Sequence, residues 1–84
     1  MNYSVFIKPS ATRELETLPD PLLKRVDRVI VALGEDPRPR GCVKLRSMNL
    51  YRVRVGSYRV LYRIDDQERV VEVIAIGHRR DVYR

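Results

Sequence analysis

Apolar and polar positions alternate first at the N-terminus, where Tyr3-Ser4-Val5-Phe6-Ile7-Lys8 alternates enough to predict a short strand over residues 3–8. Pro9 stops it and Ser10 is placed to cap a helix over residues 10–18, with Ala11, Leu15 and Leu18 on one face. Pro19 ends that helix, because the residue before a proline avoids the helical region. A second helix follows, with Asp20 as N-cap, Pro21 at the first helical position and Gly34 as C-terminal cap. Its apolar residues Leu22, Leu23, Val26, Val29, Ile30 and Leu33 make one stripe at helical period. Lys24, Arg25, Asp27 and Arg28 form the wet face.

Residues 36–48 carry Pro37, Pro39 and Gly41 and read as an irregular connection. Period-two alternation then returns over residues 50–55 and 58–64, joined by Gly56-Ser57 as a two-residue hairpin turn. Residues 65–68 form a second turn, and 70–76 is a nearly continuous apolar run, a strand covered on much of both faces. The expected class is therefore α+β: an N-terminal strand, a helical hairpin, then a three-stranded antiparallel meander, all in one mostly antiparallel sheet.

The turn fixes the pairing. Val55 faces Tyr58, Arg54 faces Arg59, Val53 faces Val60 and Tyr51 faces Tyr62. Tyr51, Val53, Val55, Tyr58, Val60, Tyr62 and Ile64 share an apolar face suited to the helices, while Arg52, Arg54, Arg59, Leu61 and Arg63 share the other. Like charges directly opposite on a sheet repel. Arg54 against Arg59 thus marks an anion site rather than a choice made for stability; the plainer alternative is a solvated face, with Glu72 neutralising it. The last strand returns toward the Gly56-Ser57 end, bringing His78, Arg79 and Tyr83 toward this pair.

Composition narrows the chemistry. The 84 residues, expected to form one domain over 1–84, hold 17 Lys and Arg against 11 Asp and Glu, a formal charge of +6 that suits a polyanion. One cysteine and one histidine argue against a disulfide framework and a single-chain zinc site, so no metal or cofactor is expected. No apolar run approaches membrane-span length and no secretory leader is evident, so the expected compartment is the cytoplasm. Metal-free RNA cleavage fits such a cluster. A 2′-hydroxyl attacks the adjacent phosphate, arginines stabilise the charge that accumulates, and His78 is the one side chain that ordinarily titrates near neutrality.

Lys44-Leu45-Arg46, the run from Tyr51 to Tyr62 (Tyr-Arg-Val-Arg-Val-Gly-Ser-Tyr-Arg-Val-Leu-Tyr) and the ending from Ile76 (Ile-Gly-His-Arg-Arg-Asp-Val-Tyr-Arg) together resemble the RelE/ParE superfamily of toxin–antitoxin toxins, in its RelE branch. The resemblance spans the chain. It implies an endoribonuclease toxin that cuts messenger RNA in the ribosomal A site, and a cognate antitoxin, RelB-like or other, that wraps and inactivates it. Operator DNA would be bound only through the antitoxin complex. By position, Arg52 and Arg54 match basic residues of the catalytic strand, Arg59 and Arg79 match arginines that stabilise the transition-state phosphate, and Tyr83 matches a tyrosine beside the scissile phosphate. His78 stands where other members carry a basic residue. Lys44, Arg46, Arg63 and Arg80 are the expected RNA-binding positions. The best-known RelE toxins carry lysines at the positions of Arg52 and Arg54. An arginine, with a pKa above about 12, is a poor general base, which leaves His78, a water or ribosomal RNA as the proton acceptor. The competing expectations are a ParE-like poison of DNA gyrase and a non-catalytic binding module or inactive toxin.

Overall fold

The computed structural model describes residues 2–78. Along the chain they form β1 (Ser4–Ile7), α1 (Pro9–Glu16), α2 (Asp20–Leu33), β2 (Val43–Leu45), a 3₁₀ turn (Arg46–Met48), β3 (Leu50–Val55), β4 (Tyr58–Asp65) and β5 (Val70–His78). The five strands make one sheet in the order β1-β5-β4-β3-β2. β2 to β5 run antiparallel in sequence, and β1 returns beside β5 in parallel, Ser4 opposite Val70 and Ile7 opposite Val73. The α+β class and the hairpin register expected from the sequence are those observed.

Four local expectations need correction. Pro9 begins α1 instead of only ending the strand, so Lys8 is the N-cap and Ser10 lies inside the helix. Likewise Pro19, not Asp20, is the N-cap of α2. Pro9 holds Lys8, the residue before it, in the extended backbone an N-cap requires, and Pro19 itself takes that backbone at φ −59° and ψ 149°, leaving Asp20 as the first helical residue. The 36–48 connection is not wholly irregular: β2 pairs with β3, Val43 opposite Arg52 and Leu45 opposite Leu50. Finally, β5 runs through Gly77 to His78, two residues past the expected end.

Both helices pack on one face of the sheet. Ala11 and Leu15 of α1, Leu18 in the turn, and Val26, Ile30 and Leu33 of α2 meet Val53, Val55, Val60, Tyr62, Val71, Val73 and Ile76 in one core. β5 carries an extra residue where Leu61 pairs with Ala75 but Tyr62 pairs with Val73. The bulge shifts the inward set from Val71 and Val73 to Ile76, so that all three stay buried. Beyond the end of β1, the Ile76 N–H has no strand partner on that edge; it donates to Glu14 Oε1 of α1 at 2.9 Å. Gly34 caps α2 with ordinary right-handed backbone, not the left-handed cap its type suggests. It is needed for close approach instead: the Tyr3 N–H donates to its carbonyl at 2.7 Å, and an added Cβ would lie 3.0 Å from the Tyr3 carbonyl oxygen.

The loop after α2 is tied down by polar contacts. Tyr62 is fully buried, and its hydroxyl donates to the Pro37 carbonyl at 2.8 Å. Burial, reinforced by the nearby Cys42 thiol, pushes the Tyr62 phenol well above its ordinary pKa. Arg38 donates to both oxygens of Asp66, at 3.1 and 2.8 Å, and its Nε donates to the Tyr51 hydroxyl. The Tyr3 hydroxyl donates to Asp66 Oδ1 at 2.6 Å. The hydrogen bonds from Arg38 and then Tyr3 hold the Asp66 carboxyl down at about 2.

Two outcomes follow. Tyr62→Phe leaves the Pro37 carbonyl buried without its donor and costs about 1–2 kcal/mol in urea unfolding. Because the folded pKa of Asp66 is depressed, its contribution is fully present above pH 4 and is lost as pH falls from there through about 2. The stability gap between the native chain and Asp66→Asn should be widest above pH 4 and close on acidification. A gap unchanged at pH 2 would mean that the ionised carboxylate is not what holds the loop.

Candidate nucleic-acid interface

The sheet face away from the helices is built by alternation. β3 contributes Arg52 and Arg54, β4 contributes Arg59, Leu61 and Arg63, and β5 contributes Glu72 opposite Arg63. Phe6 of β1, opposite Glu72 and 59% exposed, extends the face. Among the described residues no helix packs on this side. Arg54 is directly opposite Arg59, as the two-residue turn requires. Gly56 in that turn has φ +60°, a backbone conformation that L side chains rarely adopt.

The arginines differ in environment. Leu61, 2% exposed despite lying on the outer face, sits between Arg52 of β3 and Ala75 of β5. The Nε atoms of Arg52 and Arg59 are both buried, so their aliphatic stems lie along the sheet instead of extending into water. Arg52 Nε has no hydrogen-bond partner, a cost of about 1–3 kcal/mol for a buried donor. Arg63 is tied to Glu72. Arg54 is exposed. The ion pairs among the described residues are Arg38–Asp66 and Arg63–Glu72, and neither reaches the Arg54 end of the sheet.

Not every expected site residue joins this face. His78 is opposite Tyr58, and their rings meet edge to face with centroids 5.7 Å apart. That is the helix side of the sheet; Gly77, not His78, faces Arg59. The bulge in β5 sets this phase, and the sequence offered no direct sign of it. Lys44 is opposite Tyr51, its ammonium 5.9 Å from the ring centroid, so it also stands on the side away from Arg52. Arg46 opens the 3₁₀ turn. Arg79, Arg80 and Tyr83 lie outside the described residues. Two basic residues read only as a wet helix face, Arg25 and Arg28, line a groove with Arg54 at the hairpin end. Their three-residue spacing and the side-chain-free Gly56 were the available signals.

An open sheet face with arginines on adjacent strands, Arg54 directly opposite Arg59, suits a polyanion. Comparison with known proteins places it. Residues 5–83 match the family described as the ParE toxin of the type II toxin–antitoxin system, parDE. The chain belongs to the RelE/ParE toxin superfamily. Its similarities lie with the RelE branch: it is 35% identical to toxin RelG of Mycobacterium tuberculosis, across all of this chain and 99% of that one. It is 36% identical to toxin RelE of the same organism over 98% of this chain and 87% of the other. Among solved structures, the toxin superposes with a TM-score of 0.85 on an archaeal RelE–RelB complex from Pyrococcus horikoshii OT3, at 28% identity and covering 98% and 100% of the two chains. A RelBE toxin–antitoxin complex from M. tuberculosis gives 0.83 at 33% identity, covering 94% of this chain and 100% of that one. This chain is thus a toxin of a type II toxin–antitoxin system.

The like-charge pair carries a stability prediction. Arg54→Gln removes the exposed member and should leave the melting temperature unchanged or raise stability by about 0.2–1 kcal/mol. A clear loss of stability would show that Arg54 is held by an attractive partner.

Proposed function

We propose that this toxin is a ribosome-dependent endoribonuclease that cleaves messenger RNA in the A site without a metal ion and so blocks translation. The observation that carries the reading is the placement of Arg52, Arg54 and Arg59 together on the open face, with Arg54 against Arg59. In the step itself the 2′-oxygen bonds to phosphorus and gives up its proton, the bond from phosphorus to the 5′-oxygen breaks, and that oxygen is protonated as it leaves. Negative charge peaks on the non-bridging oxygens. Guanidinium groups, charged at any working pH and able to donate two parallel hydrogen bonds, stabilise that charge most where the site is preorganised. Arg59 takes this role, with Arg79 as its partner and Tyr83 beside the scissile phosphate. Arg52 and Arg54 hold the flanking backbone, and Arg63 and Arg80 extend the contact.

The step also needs a proton acceptor. His78, on the helix side beside Tyr58, is poorly placed for an RNA on the arginine face. A water or a ribosomal RNA group is favoured, which agrees with a dependence on the ribosome. Lys44 and Arg46 serve ribosome contact in preference to the scissile strand. The proposed protein partner is a RelB-like antitoxin, because the relatives solved as complexes are bound to RelB. Its complex with the toxin, not the toxin alone, would bind operator DNA.

A gyrase-directed reading has one observation in its favour, the ParE description of the matching family. Induced expression with primer extension on a translated message separates the two. Cuts at codon positions, reduced about 10²–10³-fold in Arg59→Ala and absent from untranslated RNA, are the expected result. Growth arrest with DNA damage and no cuts would replace the RNase reading with the gyrase one. No arrest and no cuts would point to an inactive toxin or a binding module.

A further inference from the structure

At the hairpin end, on the helix side of the sheet, lies a shallow groove of about 370 Å³ between α2 and β3. Arg25 and Arg28 of α2 and Arg54 of β3 line it, with Val29, Ala32 and Gly56. β2 pairs with β3 only as far as Arg52, so the outer edge of β3 at Arg54 is not covered by a strand and stays open to this groove. The Arg25 guanidinium lies over the turn, its Nη1 and Nη2 3.7 and 3.8 Å from the position a Cβ on Gly56 would take. Arg25 and Arg28 are three residues apart on one helix face, where like charges repel, and both share the groove with Arg54. Among the described residues no carboxylate lines the groove, and neither ion pair involves these three arginines. The arrangement works against stability.

We propose that this groove is a second phosphate site, separate from the scissile strand, which takes backbone phosphodiesters of a structured RNA. It rests on the reading of the chain as an RNA-directed toxin. Three arginines line one groove with no acceptor among its described residues. A single carboxylate side chain offsets one positive charge, whereas successive diesters offset several and each accepts a forked pair of hydrogen bonds. Gly56, lacking a side chain, lets the Arg25 guanidinium lie over the turn beside the groove. Arg54 links the two sites, since it belongs to the open face by register and to the groove by position. The hairpin end is therefore gripped from two sides. One RNA segment lies across the open face at Arg54 and Arg59, and a second follows α2 past Arg25 and Arg28.

The test is fluorescence anisotropy of a labelled RNA stem–loop with the full chain, repeated from 50 to 200 mM KCl. In Arg25→Gln/Arg28→Gln the salt slope should become shallower by about 1.4–1.8, the release expected for two phosphate contacts, and affinity at the lower salt should fall roughly tenfold. Arg25→Lys/Arg28→Lys, which keeps the charge, should retain most of the slope. Unchanged melting curves for both variants exclude misfolding. An unaltered slope in the glutamine variant overturns the proposal. So does a variant that binds the RNA normally but loses an acidic peptide such as poly-glutamate, because the groove would then serve a protein partner. The readout does not need cleavage. A parent chain that cuts no message, with a slope that falls on substitution, removes the RNase reading alone. Cleavage with an unaltered slope removes the groove alone.

Discussion

The register of the β3–β4 hairpin governs everything placed on the sheet. A two-residue turn leaves no freedom: with Gly56 at positive φ, Val55 must face Tyr58, and each later pair follows in steps. A slip of one residue would turn Tyr51, Val53, Val60 and Tyr62 outward and bury the arginines against the helices. The core thus enforces the register, and the register presses Arg54 against Arg59. The repulsion between them is a small cost, held in place by the burial of Val53 and Val60 on the other side of the same strands.

The two faces answer to different demands. On the helix side, polar groups are paired: Tyr62 with the Pro37 carbonyl, Asp66 with Arg38 and Tyr3, and the Ile76 amide with Glu14. Toward the hairpin end the arginines gather. Arg52 keeps a buried donor unsatisfied, and Arg54, Arg25 and Arg28 share a groove without a carboxylate. Among the described residues, the acidic groups that form ion pairs sit toward the β4–β5 turn. Charge is segregated along the strands, and the positive end coincides with the candidate site.

Much of this was legible from residue order. The alternation over 50–55 and 58–64 and the glycine between them are local signals, and they produced the correct pairing and the arginine face. The helices were equally readable from their stripes, apart from caps at which proline outranked Ser10 and Asp20. The short β2 was hidden by neighbouring proline and glycine, because a three-residue strand has no period to detect and is held by its partner β3. The phase of β5 was hidden for a related reason. A continuous apolar run does not say which residues face inward, and the bulge at Leu61/Tyr62 carries no residue-type signature. His78 was therefore expected nearer the arginines than it stands. The groove at Arg25 needed α2 and the turn to meet, which no window of sequence shows.

The parallel pairing of β1 with β5 has a consequence in time. Ser4 is hydrogen-bonded to Arg69 and sits opposite Val70, so the first strand finds its place only beside nearly the last one made. The edge of β5 remains open until then, and the floor beneath the arginine face is unfinished. This pairing closes a longer loop than any other in the sheet and carries the largest closure entropy. A chain in which β5 has not yet been made cannot seat β1, and the sheet that carries the arginines is then incomplete.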